Sequence, residues 1–149
     1  MIPYSQSTIR NTNDPLRKLS TYGPCLAGVD LQRVAGTVDA PISFDDLELP
    51  LGLEEFKLSG GYYRVATDST YIKNLPSELE DMFQLKTIII ANVIFTKTPL
   101  DWSKLSALKT LWLYEMSELN AYLEGISQIP GLTQLRLSYS AQYPVSETL

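Results

Sequence analysis

The stretch that decides the fold begins at residue 75 and reads Leu75-Pro-Ser-Glu-Leu79-Glu-Asp-Met82-Phe-Gln-Leu85-Lys-Thr-Ile88-Ile-Ile90. Its first part spaces apolar residues three apart, at Leu79, Met82 and Leu85, and its last part spaces them two apart. A spacing of three fits a tight 3₁₀ turn, whereas a spacing of two fits one face of a β-strand. This stretch therefore predicts a tight helical turn that leads directly into a short strand.

The end of this stretch is one of four copies of a phrase with apolar residues at its first, fourth and sixth positions. The copies are Leu53-Glu-Glu-Phe56-Lys-Leu58, Leu85-Lys-Thr-Ile88-Ile-Ile90, Leu108-Lys-Thr-Leu111-Trp-Leu113 and Leu132-Thr-Gln-Leu135-Arg-Leu137. The first residues of successive phrases, at positions 53, 85, 108 and 132, are 32, 23 and 24 residues apart. Self-similarity at a period of about 20–29 residues predicts a solenoid that repeats one structural unit.

A second pattern lies ahead of the phrases. Apolar residues or prolines recur three, six and nine positions before the first leucine, at Pro76, Leu79 and Met82, at Pro99, Trp102 and Leu105, and at Leu123, Ile126 and Ile129. We therefore predict an α/β solenoid in which short parallel β-strands form the concave side and 3₁₀ turns or short helices form the convex side. Stacking of the units buries one apolar column.

Over roughly residues 42–140 the chain resembles the leucine-rich repeat family. The stretch from Leu75 to Ile90 carries the Leu-Pro-x-x-Leu-x-x-Leu-x-x-Leu pattern of the typical and plant-like classes. The resemblance implies the solenoid described above. At the ninth position of each phrase the family usually has Asn or Cys, whose side chain satisfies backbone groups of the turn, but this chain has Gly61, Val93, Met116 and Ser140. Its repeats are therefore irregular, and its turns need another source of stability.

The positions of the phrases predict the organisation of the chain. Residues 1–24 are rich in Asn, Ser, Thr and Pro and are expected to form an N-terminal cap or tail. Residues 25–140 form the leucine-rich repeat domain, with a poorer strand at 26–31 and clear repeats from about residue 42. Residues 141–149 form a C-terminal tail or partial cap. This segment is too short to cover the edge of the last strand well, so we also expect self-association through that open edge.

Composition narrows the class of partner and the cellular compartment. The formal charge of −5 over 149 residues disfavours nucleic acid, whose binding rests on an excess of Lys and Arg. No apolar run approaches the roughly 18 residues that span a bilayer, so no membrane span is expected. The single Cys25, the missing glycosylation acceptor and an N-terminus unlike a signal peptide favour the cytoplasm. A secreted effector or a fragment of a surface protein is the alternative setting.

The chain lacks the residue patterns of common active sites. It has no histidine, which removes the most frequent general base and nearly all catalytic zinc sites. The acidic run at residues 45–48 lacks the ordered ligand loop of a calcium site. Gly60-Gly61 is followed by Tyr62-Tyr63-Arg64, not by the Lys-Ser/Thr of a phosphate-binding loop. We therefore expect no enzyme, no catalytic residue, no cofactor and no metal.

The residues between the strand leucines are the candidate binding surface, because they would face the concave side. Three large side chains cluster at its centre, at Ile89, Trp112 and Tyr114, and four basic residues lie around them, at Lys57, Lys86, Lys109 and Arg136. An aromatic centre with a charged rim is typical of a binding hot spot. The alternative is that Trp112 only packs on the stems of neighbouring basic residues.

The 32-residue interval adds Tyr62 and Tyr63 to the candidate site. It holds about eight more residues than the other intervals, and long loops in compact domains are often functional. Paired glycines followed by paired tyrosines indicate either a Tyr-rich contact loop or a longer repeat whose tyrosines pack on the next turn.

The leading hypothesis is a non-catalytic protein–protein interaction module that binds another protein or peptide, preferably an acidic one, on its concave face. One alternative is that these repeats are the substrate-recognition part of a larger enzyme such as a ubiquitin-ligase effector. Another is a surface adhesin or glycan-binding protein, in which exposed aromatic rings stack on sugar faces.

Overall fold

The structure, a computed structural model, describes residues 5–8, 27–34, 39–44, 49–60, 70–96, 100–116 and 120–138. Within them the strands are β1 (Ser5–Thr8), β2 (Gly28–Val34), β3 (Glu55–Gly60), β4 (Thr70–Ile72), β5 (Thr87–Ala91), β6 (Val93–Phe95), β7 (Thr110–Tyr114) and β8 (Gln134–Leu137). In these same ranges two 3₁₀ helices, Ser77–Asp81 and Trp102–Lys104, and one α-helix, α1 (Asn120–Ile126), lie between strands.

Six of the strands form one parallel sheet in the order β1-β2-β3-β5-β7-β8. The four phrases align in this sheet without a shift, since their fourth residues, Phe56, Ile88, Leu111 and Leu135, are direct register partners. The predicted α/β class with short parallel strands is confirmed. β1 lies in the segment for which composition predicted a cap or tail, and the leucine pattern did not predict this strand.

Backbone hydrogen bonds hold this register at the start of each strand. The carbonyl at the second position of a phrase accepts N–H groups from both the second and the third residue of the next phrase. The pairs are Lys86 and Thr87 on the Glu54 carbonyl, Lys109 and Thr110 on the Lys86 carbonyl, and Thr133 and Gln134 on the Lys109 carbonyl, all at 2.8–3.1 Å. The same bond pattern at each step places equivalent side chains side by side.

The core lies on one side of the sheet and consists of a single cluster of buried apolar side chains. Along β3, β5 and β7 burial alternates, and the fourth and sixth residues of each phrase point into this cluster. Full burial of such a side chain stabilises the fold by about 1.5–3 kcal/mol. On β8 the equivalent Leu135 and Leu137 are 44% and 37% exposed, because β8 is the outermost strand of the sheet.

The turns after the strands are stabilised by a second, smaller sheet that the sequence pattern did not predict. β4 and β6 pair in parallel, and Ile42 forms a parallel bridge with Ile72 of β4. Lys73 donates its N–H to the Ile42 carbonyl, and Thr96 donates to the Ile72 carbonyl, each at 2.9 Å. These backbone hydrogen bonds stabilise the turns, a role that the Asn or Cys side chain has in typical leucine-rich repeats.

Two ninth-position residues are apolar because they belong to the core. Val93, the first residue of β6, and Met116 are both almost fully buried. β4 falls within the long interval, for which a contact loop and a longer repeat were both open, and Thr70–Ile72 shows that the end of this interval forms a strand. Tyr62 and Tyr63 lie outside the described residues, as do residues 9–26 and 139–149.

The helical turns lie on the side of the core away from the six-stranded sheet. Leu79, Trp102 and Ile126 each point into the core from one of these turns. The tight helical turn predicted ahead of β5 is confirmed as the 3₁₀ helix Ser77–Asp81. In the described part of the chain, the helices are too short or too polar to cross a membrane.

A candidate binding face on the outer side of the sheet

The outer face is the side of the six-stranded sheet that points away from the core. The fifth residues of the phrases stand on it as one continuous row, because the strands are in register. From β2 to β8 this row reads Asp30, Lys57, Ile89, Trp112 and Arg136. Four of the predicted site residues are therefore brought together in one line, and Tyr114 stands beside them two residues further along β7.

Trp112 is held between two neighbours. The Tyr114 ring meets it edge-on, with ring centroids 5.9 Å apart and planes at 73°. The guanidinium carbon of Arg136 lies over the indole, 4.5 Å from the ring centroid. Such a cation–π contact contributes about 0.5–1 kcal/mol at an exposed site. Trp112 is consequently half-buried, and one face of its ring is covered by Arg136 instead of being open to solvent.

The indole N–H of Trp112 lacks an acceptor. Its Nε1 atom is buried, and no hydrogen-bond partner for it exists among the described residues. A buried donor left without an acceptor costs about 1–3 kcal/mol. The nitrogen is enclosed by the protein, so it is not part of the surface that a ligand would contact.

Arg136 is exposed, and it forms no ion pair with a carboxylate among the described residues. Two ion pairs of that part of the chain, Lys57–Glu55 at 2.9 Å and Lys104–Glu80 at 3.5 Å, do not involve it. A guanidinium has five N–H donors in a fixed plane that matches a carboxylate. Its stacking on Trp112 orients this plane before any ligand arrives.

The predicted basic rim is present on only one half of the face. Lys86 and Lys109 are exposed at the start of β5 and β7, and the Lys109 ammonium group lies beside Gly131. Lys57, in contrast, is bound to Glu55 and stands next to Asp30 in the row. The β3 phrase begins with Glu54 and Glu55, where the next two phrases have Lys86-Thr87 and Lys109-Thr110.

A separate cleft of about 450 Å³ opens on the side of the helical turns. Its floor is apolar and its rim is polar; the lining residues are Asn74, Leu75, Ser77, Glu80, Leu100, Asp101, Trp102, Gly125 and Gln128. At its rim Glu80 Oε1 accepts the backbone N–H of Asp101 at 2.7 Å. This bond joins the 3₁₀ helix Ser77–Asp81 to the turn that begins the next one.

Asp101 caps the second 3₁₀ helix. Its carboxylate accepts hydrogen bonds from the Ser103 hydroxyl at 2.6 Å and from the Ser103 N–H at 3.2 Å. The hydroxyl bond is the main reason that the pKa of Asp101 lies below its ordinary value, and the Ser103 N–H and nearby Lys104 lower it further. Such a group stays ionised at neutral pH and strengthens the cap.

Neither metal ligands nor comparisons with known proteins assign a function to the outer face or to the cleft. No group of three His, Cys, Asp or Glu residues is placed to hold a metal ion in the parts of the chain that the structure describes. No family model, curated protein or solved structure matches this chain.

Proposed function

We propose that this chain is a non-catalytic protein-interaction module, built as a leucine-rich repeat solenoid, that binds an acidic segment of another protein on its outer face. The alignment of four phrases in one parallel sheet, with helical turns on the opposite side, supports the repeat architecture. Solenoids of this kind offer extended surfaces to partners. The lone Cys25 supports a reducing compartment, the cytoplasm, as its setting.

The observation that carries this proposal is the stacking of Arg136 on Trp112. A cation that is already oriented and has no carboxylate partner loses little entropy when it binds one. Charge-assisted hydrogen bonds from guanidinium to carboxylate are about twice as strong as neutral ones. The side chains next to a carboxylate bound at this position would pack on Ile89 and Tyr114.

Lys86 and Lys109 extend the positive charge along the starts of the strands. Both are exposed, so their contribution acts mainly through long-range attraction and is screened beyond about 8 Å at physiological ionic strength. They are expected to raise the association rate more than the final affinity.

The test is a titration of fluorescently labelled ten-residue peptides, acidic, neutral and basic, followed by anisotropy. Wild type should bind the acidic peptide with preference, and Arg136→Gln should weaken that binding at least tenfold. Lys104→Gln is the matched control, because it removes one positive charge from the opposite side of the molecule. Equal binding by wild type and Arg136→Gln, or equal loss in Lys104→Gln, would refute the proposal.

A further inference from the structure

The last repeat leaves the apolar column of the core open at one end. In the first three phrases, the first, fourth and sixth residues are at most 1% exposed. In the fourth phrase Leu132 is only partly buried, and Leu135 and Leu137 are 44% and 37% exposed. Leu123 on α1 belongs to the same repeat and is 41% exposed. Three of the five large apolar side chains that are exposed in the described part of the chain therefore lie in this repeat.

The backbone of β8 is available for pairing on the side away from β7. Among the described residues no further strand follows β8 in the order of the sheet. In a parallel ladder, alternate residues bond to the same neighbouring strand. Gln134 and Ser138 donate their N–H groups to carbonyls of the β7 phrase, each at 2.9 Å. The backbone groups of Leu135 and Leu137 therefore point to the open side.

This edge lacks the features that commonly keep strand edges apart. Proteins protect such edges with Pro, with Lys or with other charged side chains at the edge. Gln134–Leu137 contains neither Pro nor Lys. Its one charged side chain, Arg136, lies over the Trp112 ring on the outer face. The edge is therefore a template for pairing with another strand.

Charge and composition favour a second copy of this chain as the partner. The whole chain has a formal charge of −5, but residues 120–138 contain one acid, Glu124, and one base, Arg136. Two copies therefore repel each other least at their last repeats. At the opposite end of the sheet, β1 reads Ser-Gln-Ser-Thr and has no apolar residue, so a head-to-tail contact offers the leucines no apolar cover. A contact between two β8 strands brings leucines onto leucines.

We propose that two copies of this chain associate by antiparallel pairing of their β8 strands around a two-fold axis, with Leu135 opposite Leu135 of the second copy. The axis is perpendicular to the sheet, so the core sides of both copies lie on the same side. The exposed leucines of the two last repeats then join in one apolar cluster. The outer faces of both copies stay open to ligands, and this inference does not depend on the proposed function.

Arg136 determines the register of this pairing. With Leu135 on the axis, Arg136 lies opposite Gln134 of the second copy, whose amide oxygen accepts hydrogen bonds from a guanidinium. Sliding one copy by two residues would place Leu135 opposite Leu137, but it would also place the two Arg136 side chains directly opposite each other. Like charges in that arrangement destabilise a strand pair. The register with Leu135 on the axis avoids this repulsion.

The contact is small, so the dimer is weak. Three partly exposed leucines and one four-residue strand offer much less than the roughly 800 Å² per partner of a standard interface. We expect a dissociation constant in the micromolar range or above, and the monomer predominates in dilute solution.

Sedimentation velocity from low micromolar to near millimolar concentration tests the association. Wild type should pass from monomer to dimer as the concentration rises, and Leu135→Asp should remain monomeric throughout. Leu51→Asp is the matched control, because Leu51 is also exposed, at 59%, but lies ahead of β3 and away from this edge. It should dimerise like wild type. A wild type that stays monomeric, a dimer that persists in Leu135→Asp, or a dimer lost in Leu51→Asp would refute the proposal. Circular dichroism checks that both variants are folded.

A disulfide cross-link tests the register independently of that substitution. In the Cys25→Ser background, Leu135→Cys should give a covalent dimer on oxidation, because directly opposite residues of a hydrogen-bonded antiparallel pair have Cα atoms about 5.5 Å apart. Leu137→Cys should not, because the two copies of residue 137 are offset by four residues, or about 14 Å along the strands. A covalent dimer of Leu137→Cys alone, or of neither variant, would overturn the proposed pairing.

Discussion

Asn92 and Glu115 occupy the same position in successive phrases, and both have a left-handed backbone, with φ of 64° and 51°. Each follows the last residue of a strand, Ala91 of β5 or Tyr114 of β7, and turns the chain out of the main sheet. Asn adopts this conformation at low cost, whereas for most other residues it costs roughly 1–2 kcal/mol. The backbone is therefore strained at Glu115 but not at Asn92.

Glu115→Asn should relieve this strain. We expect the free energy of unfolding to rise by about 0.5–1 kcal/mol, because Asn tolerates the left-handed region and the backbone N–H bond to the Ser138 hydroxyl is retained. Urea denaturation measures the change. The reverse substitution at the equivalent position, Asn92→Glu, should destabilise the protein. A loss of stability in Glu115→Asn would contradict the strain.

Leu111 and Leu135 test how strongly the stability that a leucine contributes depends on its strand's position in the sheet. They hold the same place in their phrases, but Leu111 is fully buried and Leu135 is 44% exposed. Leu111→Ala should lower the free energy of unfolding by about 2–5 kcal/mol, as buried leucines do. Leu135→Ala should cost less than half as much. Equal losses in chemical denaturation would show that β8 is covered as completely as β7.

Trp102 and Trp112 should also differ in how much stability is lost when each is replaced by Ala. Trp102 is 3% exposed and faces the core, so Trp102→Ala should cost about 3–5 kcal/mol. Trp112→Ala should cost clearly less, because the ring is half-buried and its removal eliminates an unpaired N–H. The comparison uses denaturation midpoints of the two variants. A larger loss for Trp112→Ala would place that ring among the core residues and exclude it as a binding centre.

Gly125 of α1 contacts the Trp102 ring so closely that a methyl group has no room. A Cβ atom at Gly125 would lie 2.5 Å from Trp102 Cδ1, and the ring is buried and unable to withdraw freely. Gly→Ala within a helix normally stabilises by up to about 1 kcal/mol. Here we expect a net loss, measured by thermal unfolding. Gly125→Ala that raises the Tm would show that the helix and the ring separate easily.

The lowered pKa of Asp101 predicts how the stability of the fold changes with pH. Its pKa is lowered in the folded protein relative to the ordinary 3.8, so its ionised form stabilises the fold at pH values above the unfolded pKa. This contribution is lost as the pH falls through the lower, folded pKa. Asp101→Asn keeps an acceptor for Ser103 but removes the charge. Wild type should therefore be more stable than Asp101→Asn at pH 7; the difference should begin to shrink as the pH falls past 3.8 and should disappear below the lower, folded pKa. Denaturation of both proteins from pH 7 to acid checks the sign, and a difference that grows at low pH would contradict it.

Much of the layout was readable from the phrases. The period of two separates Leu111, which points into the core, from Trp112, which points out. Because Ile89 and Trp112 both hold the fifth position of successive phrases, the sequence predicted that they are neighbours. The spacing of three predicted the 3₁₀ helix before β5. These are local properties, because the direction of a side chain in a strand or a turn is set by the few residues around it.

The tertiary structure decided what local spacing does not contain. The pairing of β4 with β6 places Val93 in a strand, at a position where typical leucine-rich repeats have Asn or Cys, and the phrases did not predict this pairing. The cover of Arg136 over Trp112 joins residues 24 positions apart in the sequence, and it requires the strand register and the two side-chain conformations together. Spacing along the chain determined which residues share the outer face, whereas the packing of the strands against one another determined which of their side chains contact each other, as Arg136 and Trp112 do.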